Sequence, residues 1–268
     1  FSIFYMAINI GALFAPTAAV KIHDWGITSL HMDPNAAYHL AFAVACVSLI
    51  LSIAIYYTFR PGFKHLEGNT KKKDEKSGAA SEAEELSPAE TKERIIALCL
   101  VFAVVIFFWM AFHQNGSALT FFAKKYTNLS VSGSMRIWFN IFSLALIALS
   151  VYTGIGVFQS KTGKNKVLCG IVTLAAWAGA IALFMNMEDP TMSQPSDFQQ
   201  FNPFFVVALT PFSMLFFGYL AKKGHEVSAP ARIALGMFVA AVGFAVITLA
   251  STNLISPMDL GDKTQSIL

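Results

Sequence analysis

Residues 107–117, FFWMAFHQNGS, set His113, Gln114, Asn115 and Ser117 inside a long apolar run. Imidazole is the side chain whose charge changes most readily near neutral pH. The amides and the hydroxyl beside it can each donate and accept hydrogen bonds. Together these groups suit the binding of a polar solute or the passage of a proton; a core histidine with its bonds satisfied is the plainer alternative. At helical spacing Trp109, His113, Ser117 and Thr120 share one stripe, with Gln114 at its border. Gly116 would let a neighbouring helix come close. Polar groups in hydrocarbon are costly and face a bundle interior or a watery cavity, so the stripe reads as a wet wall. Two other stretches carry similar groups. FYMAINIGALFAP places Tyr5 and Asn9 on one face, with Gly11 small enough for close packing. FQQFNPFFVVALTP places Asn202 and Pro203 just inside a helix start, beside Gln199 and Gln200. Asn202 reads equally as a helix cap and as a cavity residue.

The elements that must carry these residues are membrane-spanning helices. Hydrophobic residues make up 55% of the 268 and charged ones 13%, against about 25% charged in a soluble domain. A span needs about 20 mostly apolar residues. Seven stretches meet this, at roughly 1–20, 39–59, 95–122, 137–158, 167–186, 201–221 and 230–251. None alternates as a barrel strand does. Of the 19 Lys and Arg, eight, three and three fall in the connections 60–94, 159–166 and 222–232. That bias makes these connections cytoplasmic and sends the first span outward. Within 60–94 the chain is charged and poor in apolar residues, the composition of a flexible linker. Its end, SPAETKE, can open the next helix, with Ser87 as cap, Pro88 in the first turn and Glu90 completing a capping box.

Cys46, Cys99 and Cys169 each lie in an apolar run without metal-site spacing and read as packing residues. No phosphate loop, nucleophile elbow or pair of carboxylates at catalytic spacing is present. The expectation is therefore no enzyme, no nucleic-acid partner, no metal and no cofactor. The chain opens on FSIFYMAINI, without an initiator Met or a basic leader, and reads as the interior of a longer protein.

Four stretches carry a resemblance. FYMAINIGAL resembles the fifth-helix signature of the proton-dependent oligopeptide transporter family, a branch of the major facilitator superfamily. FFWMAFHQNGSALTFFA is similar to the family's seventh helix. FQQFNPFFVVALTP and PARIALGMFVAAVGF are similar to its eighth and ninth. The resemblance implies an all-α, polytopic membrane protein built as a major-facilitator-type helical bundle. It makes 1–59 the last two helices of the N-terminal half, 60–94 the cytoplasmic linker, and 95–268 the first part of the C-terminal half. Helices at about 137–186 have no counterpart at that place in the family, and we read them as an inserted transmembrane hairpin, peripheral and touching lipid, in which Asn140 and Trp177 stand out.

The function so implied is symport of di- or tripeptides with protons, by alternating access, in the cell (inner) membrane. The partners are the peptide, protons, the bilayer and the remainder of the same polypeptide. Asn9 and Asn202 match asparagines that contact the peptide, and Trp109 matches a pocket-lining tryptophan. Tyr5, His113, Gln114 and Ser117 complete the expected substrate-binding set. His113 falls where many members carry an acidic residue, which makes it the proton-coupling candidate and a departure from the family. The alternatives are a carrier of the same fold for another small substrate, and a membrane structural or assembly protein without transport.

Overall fold

The computed structural model describes residues 2–67 and 87–260. Among them, seven helices are long and apolar enough to cross a membrane, and they fall on the seven expected stretches. Helix α1 (Ser2–Leu30) is followed by α2 (Pro34–Glu67), α3 (Pro88–His113) and the short α4 (Ala118–Tyr126). Then come α5 (Ile141–Gln159), α6 (Gly163–Met185), α7 (Phe201–Lys222) and α8 (Ala229–Ala250). The third expected span is shared by α3 and α4. Lysines 71–73, the core of the expected linker, lie outside the described residues; the described ends of 60–94 are helical, as the end of α2 and the start of α3.

The chain divides into two units, Ala18–Val104 and a second that joins Phe1–Thr17 to Val105–Leu268. In the first, α1 continues ten residues past its apolar run, because backbone bonding does not need apolar side chains. Thr28 Oγ1 donates to Asp24 O at 2.8 Å. The ring of His23 packs at a tilt against Tyr38, 4.3 Å between centroids and 39° between planes, with Nε2 3.2 Å from Pro34 O. A Cβ on Gly26 would stand 3.3 Å from the Cβ of Ala37, so glycine there lets α1 and α2 meet closely. Helix α3 opens as its sequence announces. Ser87 N donates to Glu90 Oε2 at 2.9 Å, and Glu90 N donates to Ser87 Oγ at 3.3 Å. Both are first-turn donors with no partner inside the helix.

In the other unit, α5 and α6 form an antiparallel hairpin turned at Ser160–Thr162. Small residues let the pair close. A Cβ on Gly179 would meet Leu146 Cδ1 at 3.1 Å, and one on Gly156 would meet Cys169 Sγ at 3.0 Å. Between them Thr173 Oγ1 donates to Thr153 Oγ1 at 2.7 Å. Small-residue contact and hydroxyl bonding are how helices associate where lipid removes the hydrophobic drive.

The hairpin is not peripheral as expected. Its helix α5 supplies Ile141, Leu144 and Ala148 to the buried cluster, with Leu13 of α1 and Phe204, Val207 and Ala208 of α7. Tyr152 OH donates to Val207 O at 2.9 Å. The hairpin also keeps exposed apolar surface suited to lipid, with Phe158 of α5 87% and Leu174 of α6 73% exposed. Asn140 is the N-cap of α5, accepting from the N–H groups of Phe142 and Ser143 at 3.0 Å each. Its polarity is helix-start chemistry. Leu144 is fully buried, so Leu144→Ala should cost about 2 kcal/mol through the void it leaves. Thermal unfolding of the detergent-solubilised full-length protein would register it, and an unchanged midpoint would contradict the packing described.

A knot ties the base of the hairpin. The two-stranded antiparallel sheet pairs β1 (Ser130–Val131) with β2 (Thr191–Met192). Beside it Arg136, 9% exposed, sits in the 3-10 segment Gly133–Phe139. Its Nη1 donates to Met187 O at 2.8 Å and Glu188 O at 3.1 Å, and its Nε to Gly133 O at 2.9 Å.

Candidate functional site

Helix α3 does not continue through the polar cluster. It ends at His113, and Gln114–Gly116 form a single 3-10 turn before Ser117, at φ −124° and ψ −86°, starts α4. The cluster's own side chains take part. Gln114 Nε2 donates to Met110 O at 3.2 Å, Ser117 Oγ to His113 O at 3.4 Å and Thr120 Oγ1 to Asn115 O at 2.8 Å. Side chains that bond nearby carbonyls compete with the helical ladder. Gly116 adds a residue poorly suited to a helix interior. A Cβ on Gly116, or on Gly11, would meet nothing within 4 Å. Neither glycine therefore admits a close neighbour, contrary to the expectation for both.

The break helps to wall a cavity of about 450 Å³. Tyr5 and Asn9 of α1 line it, with Phe108, Ala111 and Phe112 of α3, Asn115 of the turn and Leu119 of α4. Asn202 and Val206 of α7 line it too, and α8 closes it with Ala240, Gly243, Phe244 and Ile247. The polar part of the lining is one phenol and three carboxamides. No lining side chain carries a formal charge. A smaller chamber of about 180 Å³ shares Asn115, Leu119 and Ile247 and adds Thr120 and Phe198.

The structure thus brings Tyr5, Asn9 and Asn202 together. Asn9 is 8% exposed and commits one N–H to Tyr5 O at 2.8 Å. Asn202 does not cap α7. A 3-10 segment, Pro195–Gln200, leads into that helix, and Gln200 is the capping position. Asn202 is exposed on the cavity wall. Gln199 ties the same segment to α4, its Nε2 donating to Thr120 Oγ1 at 3.0 Å.

Trp109, His113, Gln114 and Ser117 are not brought to this cavity. The rings of Trp109 and His113 lie 5.7 Å apart on a neighbouring, exposed face of α3. The break also separates Ser117 and Thr120 from the stripe expected on one helix. The lining set on this segment is Phe108, Phe112, Asn115 and Leu119. It runs at i, i+4, i+7 and i+11, beside the expected stripe at i, i+4, i+8 and i+11 and one or two residues before it at each turn. Asn115 was in view as part of the polar cluster; its place off the chosen stripe hid it. Among the described residues no group of three or more His, Cys, Asp or Glu could hold a metal ion.

Seven apolar helices make this a multi-pass membrane protein. Similar proteins point the same way. Dipeptide and tripeptide permease B of Xenorhabdus bovienii is 21% identical, aligned over 95% of this chain and 46% of its own length. The protein of that name from Salmonella typhimurium is 24% identical, over 91% of this chain and 44% of its own. The Shigella dysenteriae protein of that name is also 24% identical, over 91% and 44%. The chain therefore spans about half the length of these curated relatives. No solved structure matches it. The family model described as the POT family, the proton-dependent oligopeptide transporters, matches residues 1–80 and 173–260. The interval between, which holds α3, α4 and α5, lies outside that match. Since the match takes in both α1, with Tyr5 and Asn9, and α7, with Asn202, and more than half of all residues, the chain belongs to the POT family.

Proposed function

We propose that the protein is a carrier that moves di- or tripeptides across the cell membrane together with protons, by alternating access. The observation that carries this reading is the cavity in which Asn9, Asn115 and Asn202 meet. A peptide presents backbone N–H and C=O groups whatever its side chains, and a carboxamide answers both with a donor and an acceptor. Apolar walls of phenylalanine and aliphatic residues tolerate varied side chains. A cavity between helices near mid-membrane, opened to each side in turn by rocking two halves, is the arrangement such carriers use. We place the protein in the inner membrane, with 60–94 in the cytoplasm, on the asymmetry of Lys and Arg among the connections.

Trp109, His113, Gln114 and Ser117 keep a proposed part in the substrate pathway, on the family resemblance of their stretch. His113 is our candidate for proton coupling. It sits at the break in the third span, where a change of charge would act on a jointed segment. A carboxylate loses its charge on protonation, whereas histidine gains one, so protonated His113 would repel a peptide's amino end. His113→Gln should flatten the dependence of uptake on pH. An unaltered pH profile would leave His113 only a packing or hydrogen-bonding part.

The test of the function is uptake of a labelled dipeptide by liposomes holding the full-length protein, with and without an inward proton gradient. Gradient-driven accumulation that unlabelled peptide competes away is expected. A verified folded preparation that accumulates nothing would overturn the peptide reading.

A further inference from the structure

We propose that Gln200 is a latch. Its carboxamide, bonded to Thr17 and otherwise unpartnered, closes one end of the peptide cavity and keeps that closure weak enough to open. The inference rests on the carrier reading above and names a residue that regulates it.

Gln200 is 1% exposed, among the most deeply buried side chains described. Its Oε1 accepts from Thr17 Oγ1 at 3.4 Å. Its Nε2 has no hydrogen-bond partner among the described residues. Turning the carboxamide over would exchange its two ends without curing this, because one hydroxyl satisfies only one of them. Buried polar groups are nearly always paired. An unmet donor raises the energy of the state that buries it, where an apolar side chain of equal length would not. A site packed for stability alone would hold methionine or leucine here.

The place of this side chain gives the unmet donor a use. Along α1, Tyr5 and Asn9 line the cavity. Leu13, 2% exposed, is in the buried cluster, and Thr17 lies about 12 Å beyond Asn9 at the helical rise. On the facing element Gln200 precedes Phe204, also 2% exposed, while Asn202 and Val206 stand on the cavity wall. None of Leu13, Thr17, Gln200 and Phe204 lines the cavity; in this proposal they form the packed α1–α7 contact that seals its end. The carrier reading assigns α1 and α7 to opposite halves, and rocking the halves requires this seal to part in every cycle. Three of the four residues favour a tight seal. The stranded donor of Gln200 opposes it and is relieved when opening lets water reach the amide.

Two variants of the full-length protein test the latch, each read by peptide uptake and by the midpoint of thermal unfolding. Gln200→Met removes the stranded group at nearly constant shape. The midpoint should rise and the maximal uptake rate should fall about tenfold, the equilibrium weight of one unmet buried donor, with KM unchanged or lower. Thr17→Val strands both ends of the carboxamide and should act in the opposite sense, lowering the midpoint without lowering the maximal rate. Gln200→Met with an unaltered rate would overturn the latch. So would a lowered midpoint and rate together, the mark of a merely structural residue, or shifts of one sign in both variants. If the wild type takes up no peptide, the carrier reading is what has failed. The midpoints then decide the latch alone, opposite shifts supporting it and shifts of one sign overturning it.

Discussion

Asn202→Leu is expected to cut peptide uptake at low substrate concentration by roughly 10- to 100-fold, because a bound peptide group left without its partner costs about 1–3 kcal/mol. The loss should appear mainly as a higher KM. Asn202 is exposed on the cavity wall and takes no part in capping α7, so the thermal midpoint should stay where it is. This split separates a ligand contact from a structural one. Asn9→Leu should weaken uptake as much but also lower the midpoint, since Asn9 is buried and bonds Tyr5 O. Wild-type uptake by Asn202→Leu would remove the observation on which the peptide reading stands.

Arg136→Met should be the most damaging single change outside the cavity. The guanidinium makes three bonds to carbonyls, two of them more than 50 residues away. It also stacks over the ring of Phe184, 4.7 Å from the centroid. Methionine keeps the length and loses the fork, stranding those carbonyls, at a cost of about 3 kcal/mol. The remaining contact, Nη2 to Asp189 Oδ2 at 3.4 Å, meets a half-exposed carboxylate and contributes little. Hence Asp189→Asn should be nearly silent, and Arg136→Lys should rescue only in part, because an ammonium cannot fork. Amide hydrogen exchange over 187–193 would read the effect locally. Equal damage from Asp189→Asn and Arg136→Met would show that the ion pair, not the carbonyl cage, holds the knot. The knot matters to the site because the chain runs from it directly into Pro195–Gln200, which carries Gln199, Gln200 and then Asn202 into place.

Much of this protein is local and so legible in its sequence. The seven spans follow from run length and composition. The cap at Ser87 and Glu90 needs only residues three apart, and Tyr5 and Asn9 share the cavity because i and i+4 share a helix face. What the sequence left open is which way each apolar helix turns. A helix apolar all round is equally suited to lipid and to protein neighbours. So α5 read as peripheral when it forms the core, and the stripe chosen on α3 was one or two residues from the face that lines the cavity. Asn202 was undecided between cap and wall until the preceding 3-10 segment supplied the capping position. Asn140, a polar residue at apparent depth, proved to be a cap. Arg136 could not be singled out from the sequence, because its partners are backbone carbonyls, which no residue type announces. The latch at Gln200 joins positions 183 residues apart, and its stranded donor exists only once packing has excluded every other partner. Chain-local chemistry wrote the helices and their ends; which faces meet, and which polar groups are left unmet, was decided by tertiary packing, because in a membrane apolarity no longer tells the inside of the fold from the outside.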